Sequence, residues 1–175
     1  MDLKSKIFLI AGPTASGKSS FAIQLAKKIN GEIINADSMQ VYKQFKILTA
    51  RPKFNKINNV IHHLYGFLDV KKKFSTGKWL NLTIIKVNKI KKKNKIPILV
   101  GGTGLYFKAL TEGLVKIPNI PIKTRNETRK LQKKIGQKKF YQKLLKIDKF
   151  SKNIINKNDV QRSIKAYEVK KFTKI

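Results

Sequence analysis

Gly12-Pro13-Thr14-Ala15-Ser16-Gly17-Lys18-Ser19 is the segment of this sequence most informative about its fold. It fits the pattern G-x-x-x-x-G-K-[ST], in which backbone N–H groups surround phosphate oxygens, the lysine neutralises their charge and the final hydroxyl reaches Mg²⁺. We therefore predict that residues 12–19 bind a diphosphate or a triphosphate, with Ser19 as the residue that contacts the metal.

The flanking sequence agrees with this motif. The apolar run Ile7–Ala11 predicts a strand that is buried on both faces, as in parallel sheets. The helix that should follow has one apolar face, made by Phe21, Ala22, Leu25, Ala26 and Ile29. Together they predict an α/β chain with the P-loop NTPase-like fold, a parallel sheet flanked by helices.

Two further strands are predicted at residues 32–36 and 96–100. A helix over about residues 76–93 lies between them, with candidate buried positions at Trp79, Leu80, Ile84, Val87 and Ile90. Asp37 follows the first of these strands, so it either caps a helix or faces the crevice beside the phosphate loop. The other strand runs into Gly101-Gly102-Thr103, where an ordinary P-loop ATPase has a Walker-B Asp, and this favours another diphosphate ester over a nucleoside triphosphate.

The character of the sequence changes after residue 115. Lys116–Pro121 reads as a proline-punctuated linker, and lysine-rich helices are predicted over about 123–135 and 138–147. Their candidate buried residues are Leu131, Ile135, Phe140, Leu144 and Ile147. A last helix begins near Asn158-Asp159 and buries Val160, Ile164 and Tyr167. We predict a P-loop core formed by residues 1–115 and about 155–175, with a small basic helical lobe inserted at about 116–154.

Charge is the outlying property of the 175 residues, because 40 Lys and Arg stand against 9 Asp and Glu, a net charge of +31. Such a basic field attracts polyanions, nucleic acid first. The excess is nearly all lysine and is accompanied by many Asn and Ile, so an adenine- and thymine-rich coding sequence explains it equally well. Charge supports a nucleic-acid partner without establishing one.

Other functional classes are disfavoured by what the sequence lacks. It has no cysteine, and the adjacent His62 and His63 favour a structural or substrate-contacting role over metal ligation. The turn predicted at Leu48–Pro52 carries Arg51, which either steers an anion or lies on the surface. The sequence shows no secretory h-region and no membrane-length apolar run, so we expect a cytoplasmic protein with no membrane partner.

In combination, these residues resemble the tRNA dimethylallyltransferases, also called tRNA isopentenyltransferases. The resemblance extends over nearly the whole chain. It rests on the phosphate loop together with Asp37-Ser38-Met39-Gln40-Val41-Tyr42, Thr49-Ala50-Arg51-Pro52, His62-His63-Leu64, Gly101-Gly102-Thr103-Gly104-Leu105-Tyr106 and Asn158-Asp159-Val160-Gln161-Arg162.

The resemblance implies transfer of a dimethylallyl group from its diphosphate to N6 of the adenosine 3′ to a tRNA anticodon. Asp37 would then be the catalytic base and Thr103 would help to close the channel between the substrates, while the phosphate loop would hold the diphosphate with Mg²⁺. The resemblance further implies a nucleotide-binding, RNA-binding monomer. Its contacts with the tRNA anticodon stem-loop would be Asp37, Ser38, Met39, Gln40, Gln161, Arg162, Ser163 and Lys165.

The sequence departs from the family pattern at several positions. Arg51, Val160 and Lys165 stand where lysine, proline and arginine are usual, and family members continue beyond the last helix, so the C-terminal part of their fold is expected to be absent here. Two other functions therefore stay open: a small nucleotide kinase or NTPase, and a tRNA-binding protein without catalytic activity.

Overall fold

The computed structural model describes residues 6–51, 56–57, 59–115, 117 and 119–173. The chain divides into two compact units, Met1–Leu114 and Val115–Ile175, and each is described by itself. Pro52 of the predicted turn, and Lys116 and Pro118 of the predicted linker, lie outside the described residues. Across the described ranges, no helix is both long and apolar enough to cross a membrane.

The first unit is a sheet with helices on both faces. Its elements are β1 (Phe8–Ala11), α1 (Lys18–Lys28), β2 (Gly31–Asn35), β3 (Lys56–Ile57), β4 (Val60–His63), α2 (Thr76–Lys92), β5 (Ile96–Gly101) and α3 (Gly104–Thr111). The strand order is β1-β5-β2-β4-β3. The first four strands in that order are mutually parallel, and β3 pairs antiparallel with β4. The predicted α/β fold is confirmed.

Alternation along β2 and β5 builds a core on each face of the sheet. On one face, Ile34 and Leu99 pack against α2 and α3, where Trp79 stacks on Tyr106 with ring centroids 4.1 Å apart. On the other face, Ile33 and Ile98 pack against Ala22 and Ala26 of α1. Both faces of these central strands are thus covered, as expected for a parallel sheet.

Several predicted core positions are confirmed and others are wrong. Trp79, Val87 and Ile90 are buried, but Ile84 is 45% exposed because Thr83 occupies the inner face of α2. In α1, Phe21 was predicted on the apolar face but is 56% exposed, while its neighbour Ala22 is buried.

The prediction that β1 is buried on both faces is wrong. In the part of the sheet that the structure describes, β1 is an edge strand paired only with β5, and alternate residues stay accessible, Leu9 being 40% exposed. Strand β4 and helix α3 were not predicted. The residues Val60–His63 are few and include two histidines, so they carry little strand signal.

The second unit contains α4 (Ile122–Ile147), α5 (Ser151–Ile154) and α6 (Val160–Thr173). Gly136 interrupts α4 with non-helical dihedrals, which corresponds to the predicted break between the two lysine-rich helices. The core of the second unit is formed where α6 packs on α4, by Phe140, Leu144, Ile164 and Tyr167. Ile147, which was predicted to be buried, is 46% exposed. The structure thus groups residues 155–175 with the helical unit, and their assignment to the catalytic core stays a prediction.

Candidate diphosphate and catalytic site

A cavity of about 600 Å³ opens in the first unit where β1, β2 and β5 end. Ligands of open α/β sheets bind outside these carboxyl ends. The cavity is lined by Thr14, Ala15, Ser16, Gly17, Lys18, Ser19, Ser20, Asp37, Met39, Gln40, Leu48, Thr49, Ala50, Tyr65, Val100 and Gly101. The structure therefore brings most of the predicted phosphate loop together with Asp37, Met39 and Gln40.

The phosphate loop joins β1 to α1 in a conformation suited to anions. Ala15 and Gly17 adopt positive φ angles of 64° and 76°. The Lys18 ammonium donates to the Pro13 carbonyl oxygen at 2.6 Å, so its charge is held over the loop. Ser19 follows in the first turn of α1, whose N-terminus adds a partial positive charge. The loop can therefore neutralise a diphosphate.

Asp37 is held in the cavity by a turn at the end of β2. One carboxylate oxygen, Oδ1, accepts the Met39 N–H at 2.8 Å, and the Asp37 N–H donates to Asn35 Oδ1 at 2.9 Å. The other oxygen, Oδ2, accepts no hydrogen bond from the described residues. No helix begins over residues 38–50, so Asp37 is not a helix cap. Its Oδ2 is free to accept a proton from a bound substrate.

Asn35 organises this turn, and sequence reasoning missed it. Its buried side-chain amide donates to the Asp37 carbonyl at 2.9 Å and to the Leu64 carbonyl at 3.1 Å, while its backbone carbonyl accepts the Trp79 indole N–H at 2.8 Å. A polar residue inside a fully buried strand was the available signal, because such groups are retained where they make hydrogen bonds.

Gly101 and Thr103 bring the end of β5 against this turn. A Cβ at Gly101 would lie 2.1 Å from the carbonyl carbon and oxygen of Ala36, so only glycine permits this approach. The Thr103 hydroxyl accepts the Ser38 N–H at 2.9 Å and lies 3.3 Å from Ser38 Oγ. Thr103 does not line the cavity, so the structure shows it holding Ser38, and its predicted substrate contact stays a prediction.

The remaining wall is the loop at residues 48–50. Gln40 donates through Nε2 to the Thr49 carbonyl at 2.8 Å, which ties this loop to the Asp37 turn. Arg51 donates to the carbonyls of Tyr42 and Lys43 at 3.1 and 3.3 Å. Its guanidinium is therefore used to shape the loop.

The two histidines serve the sheet and do not line the cavity. His62 contacts the Val60 carbonyl through Nδ1 at 3.0 Å, and His63 Nε2 lies 2.6 Å from Oε2 of the buried Glu32. Burial alone would raise the pKa of Glu32, but hydrogen bonds from His63 and Lys95 outweigh it and lower that pKa. Burial lowers the pKa of both histidines. Among the residues described, no cluster of three His, Cys, Asp or Glu side chains is placed to hold a metal.

The predicted tRNA contacts of the second unit lie on α6. Gln161 and Arg162 are exposed and Lys165 is partly buried. Arg162 lies 3.3 Å from Asp159, which caps this helix by accepting the Arg162 N–H. Ser163 is fully buried, and its hydroxyl donates to the Asp159 carbonyl and accepts from Gln137. A direct contact between Ser163 and RNA would require the packing of α6 on α4 to open.

The fold and the cavity define a class: a P-loop protein in which a carboxylate after β2, in place of the usual Walker-B acid after β5, faces the phosphate loop. The family of IPP transferases matches residues 40–175. The chain belongs to this family.

Two curated relatives carry the same description. A tRNA dimethylallyltransferase of Pelagibacter ubique is 66% identical over all 175 residues, which correspond to 56% of that protein. One from Rickettsia massiliae is 46% identical over 95% of this chain and 46% of its own length. The chain therefore spans about half the length of the curated relatives it matches.

Two similar solved structures carry related descriptions. A eukaryotic dimethylallyltransferase acting on tRNA is 30% identical with a TM-score of 0.81, over 94% of this chain and 41% of its own. The full-length tRNA isopentenylpyrophosphate transferase of Bacillus halodurans is 35% identical with a TM-score of 0.62, over 96% of this chain and 56% of its own.

Proposed function

We propose that this chain carries the reaction centre of a tRNA dimethylallyltransferase. It transfers the dimethylallyl group of dimethylallyl diphosphate to N6 of the adenosine 3′ to the anticodon and releases diphosphate. The observation that carries the proposal is that one cavity is lined by both the phosphate loop and Asp37. A base for the acceptor and a site for the leaving group are thus side by side.

The steps follow from the side chains. The N6 amine forms a bond to C1 of the dimethylallyl group while the bond from C1 to the diphosphate oxygen breaks. Asp37 Oδ2 accepts the proton that the amine loses, and its Oδ1 stays fixed by the Met39 N–H. Lys18 and the N–H groups of the phosphate loop stabilise the charge that develops on the leaving diphosphate. The adenine must leave the anticodon-loop stack to reach the cavity.

The site fits Mg²⁺ held mainly by the substrate. Ser19 and Asp37 place hydroxyl and carboxylate oxygens in one cavity, and hard oxygen ligands suit this ion. The described residues offer no cage of protein carboxylates. Mg²⁺ commonly binds through one or two protein oxygens, substrate phosphates and water. When bound, it would supply charge neutralisation for the diphosphate; Ser19 is the residue proposed to contact it.

The decisive experiment incubates the 175-residue chain with tRNA, Mg²⁺ and dimethylallyl diphosphate and analyses the nucleosides by mass spectrometry. We expect N6-dimethylallyladenosine. Asp37→Asn keeps the shape and the Oδ1 acceptor but removes the base, so turnover should fall by roughly 10²- to 10⁴-fold while tRNA still binds. Glu112→Gln, an exposed carboxylate outside the cavity, is the control and should retain activity.

The same samples test the other functions. Tight ATP binding with hydrolysis and no response to dimethylallyl diphosphate would favour an NTPase, against which the Gly101-Gly102-Thr103 sequence after β5 argues. Salt-dependent tRNA binding without any modified adenosine would favour the non-catalytic alternative. The proposal includes a monomer acting in the cytoplasm, and size-exclusion chromatography with light scattering tests the monomer.

A further inference from the structure

Tyr65 lies in the cavity with Asp37, and neither the motifs nor the proposed reaction gives it a role. It stands two residues after the end of β4, at the same carboxyl edge of the sheet as the phosphate loop and Asp37. Its ring packs edge-on against His62, with centroids 5.8 Å apart and planes at 62°. The fold therefore fixes the position of the ring.

The backbone around Tyr65 is strained and held from several sides. Leu64 adopts a φ of 61°, a left-handed conformation that is unfavourable for a leucine. Gly66 follows with a φ of 52°, and the Arg51 guanidinium packs so close that a Cβ at Gly66 would overlap it. Such strain persists only where surrounding contacts enforce it, and it concentrates at functional sites.

Those contacts come from the residues that build the Asp37 turn. The buried Asn35 amide holds the Leu64 carbonyl at 3.1 Å as well as the Asp37 carbonyl at 2.9 Å. The Gly66 N–H donates to the Gln40 carbonyl at 2.9 Å. One hydrogen-bond network thus fixes the backbone on both sides of Tyr65 and at Asp37.

The Tyr65 hydroxyl is a donor that has no acceptor in the described part of the chain. Burial first, and then the negative charge of Asp37, raise the pKa of Tyr65 well above its ordinary value, so the phenol stays protonated. Two residues that line the cavity thus carry an acceptor, Asp37 Oδ2, and an unused donor, the Tyr65 hydroxyl.

This pair complements one edge of adenine. The N6 amine of adenine is a donor, and a ring nitrogen that accepts hydrogen bonds stands on either side of it, N1 on the Watson–Crick edge and N7 on the Hoogsteen edge. Guanine has an acceptor oxygen in place of that amine, which a carboxylate would repel.

We propose that the Tyr65 hydroxyl donates to the adenine ring nitrogen beside N6, making Tyr65 a specificity-determining residue for the acceptor base. This inference rests on the proposed function. Asp37 accepts from the amine and Tyr65 donates to the adjacent ring nitrogen, so the two side chains together favour a base with an exocyclic amine over guanine or uracil and orient N6 of adenine.

The test titrates fluorescein-labelled anticodon stem-loop RNAs with the full chain. The nucleotide 3′ to the anticodon is adenosine, 1-deazaadenosine or 7-deazaadenosine, each deaza base lacking one of the two ring acceptors. Binding is the readout because removing N1 also changes the reactivity of the amine. Wild type should bind one deaza RNA roughly three- to tenfold more weakly than the adenosine RNA, the effect of one lost hydrogen bond.

Tyr65→Phe keeps the ring and should bind all three RNAs equally, at the weaker affinity. The matched control is Tyr106→Phe. Burial, then the charges of Tyr42 and Asp37, raise the pKa of Tyr106 to about 12, but Tyr106 does not line the cavity. The Tyr106→Phe variant should therefore discriminate among the three RNAs as wild type does.

Two results would overturn the inference: equal binding of the three RNAs by wild type, which needs no variant, or discrimination retained by Tyr65→Phe. Retained discrimination with weakened binding of inorganic diphosphate and Mg²⁺ would assign the hydroxyl to the leaving group instead. Failure of the proposed function is a separate result, namely no dimethylallylated nucleoside from wild type with natural tRNA.

Discussion

The two oxygens of the Asp37 carboxylate have different roles, because only one of them accepts a hydrogen bond from the described residues. Oδ1 is committed to the Met39 N–H, which fixes the rotation of the side chain, and Oδ2 is left for the substrate. Ser38, the next residue, donates its N–H in turn to the hydroxyl of Thr103, which follows the adjacent strand β5. The orientation of the base thus depends on a residue that does not line the cavity.

Replacing Thr103 tests this dependence. Thr103→Val leaves the Ser38 N–H without its acceptor and loosens the turn, so we expect kcat to fall roughly tenfold, near the energy of one such hydrogen bond. KM for dimethylallyl diphosphate should change little, because the phosphate loop is untouched. Steady-state kinetics measure both constants.

Thr103→Ser is the matched variant, since it retains the hydroxyl and should retain most of kcat. Equal impairment of the serine and valine variants would show that the methyl group, by packing, is what matters. A change in KM alone would instead indicate a substrate contact.

Among elements, the approach of β5 to β2 is the tightest constraint on the site. Gly101→Ala would place a methyl group 2.1 Å from backbone atoms of Ala36, which cannot move without shifting Asp37. We expect the free energy of unfolding to fall by roughly 1–3 kcal/mol, typical of overpacking. Urea denaturation followed by circular dichroism measures it.

Gly104→Ala is the control, because a Cβ there meets nothing within 4 Å and Gly104 begins α3. Alanine is favoured over glycine in helices by roughly 0.5–1 kcal/mol, so this variant should be unchanged or slightly more stable. Equal stability of the two variants would contradict the close approach.

The pairing of β2 with β4 makes stability depend on pH. His63 has a folded pKa lowered from 6.5 and Glu32 one lowered from 4.5. In both cases the unfolded chain binds protons more readily, so stability is present above the unfolded pKa and is lost as pH falls through the folded value. We expect the melting temperature to fall from pH 6.5 downward and further below pH 4.5. A melting temperature that is flat or rises over this range would contradict the assignment.

Sequence reasoning succeeded for elements with a strong local signal and failed where tertiary contacts decide. The strand and helix that flank residues 12–17 and the break at Gly136 could be predicted from spacing and composition. Strand β4 could not, since it is short and polar at one end. Tyr65 was missed for the same reason: without β4, nothing places it at the carboxyl edge of the sheet. The function of the Asn35 side chain depends on a partner distant in sequence, the Leu64 carbonyl.

Over the whole molecule, charge and cavity make different contributions to RNA binding. The net charge is +31, and most lysines and arginines in the described ranges form no ion pair. Phosphate attraction of this kind is independent of sequence and weakens as counterions are added. Contacts to a base inside the cavity involve no counterion release and should not weaken in the same way.

This difference gives a salt-dependent prediction. We expect the chain to bind an anticodon stem-loop and a scrambled RNA of equal length with similar log–log salt slopes, about −0.7 to −0.9 for each phosphate contact. The stem-loop should keep a constant excess affinity from about 50 mM to about 200 mM salt, because that excess comes from cavity contacts. Fluorescence anisotropy measures both. Arg162→Ala, which removes an exposed cation of α6, should reduce the slope by about one and leave the excess unchanged. Equal affinities at every salt concentration would mean that charge alone drives binding, whereas an excess that vanishes with salt would place the selectivity on phosphates and not in the cavity.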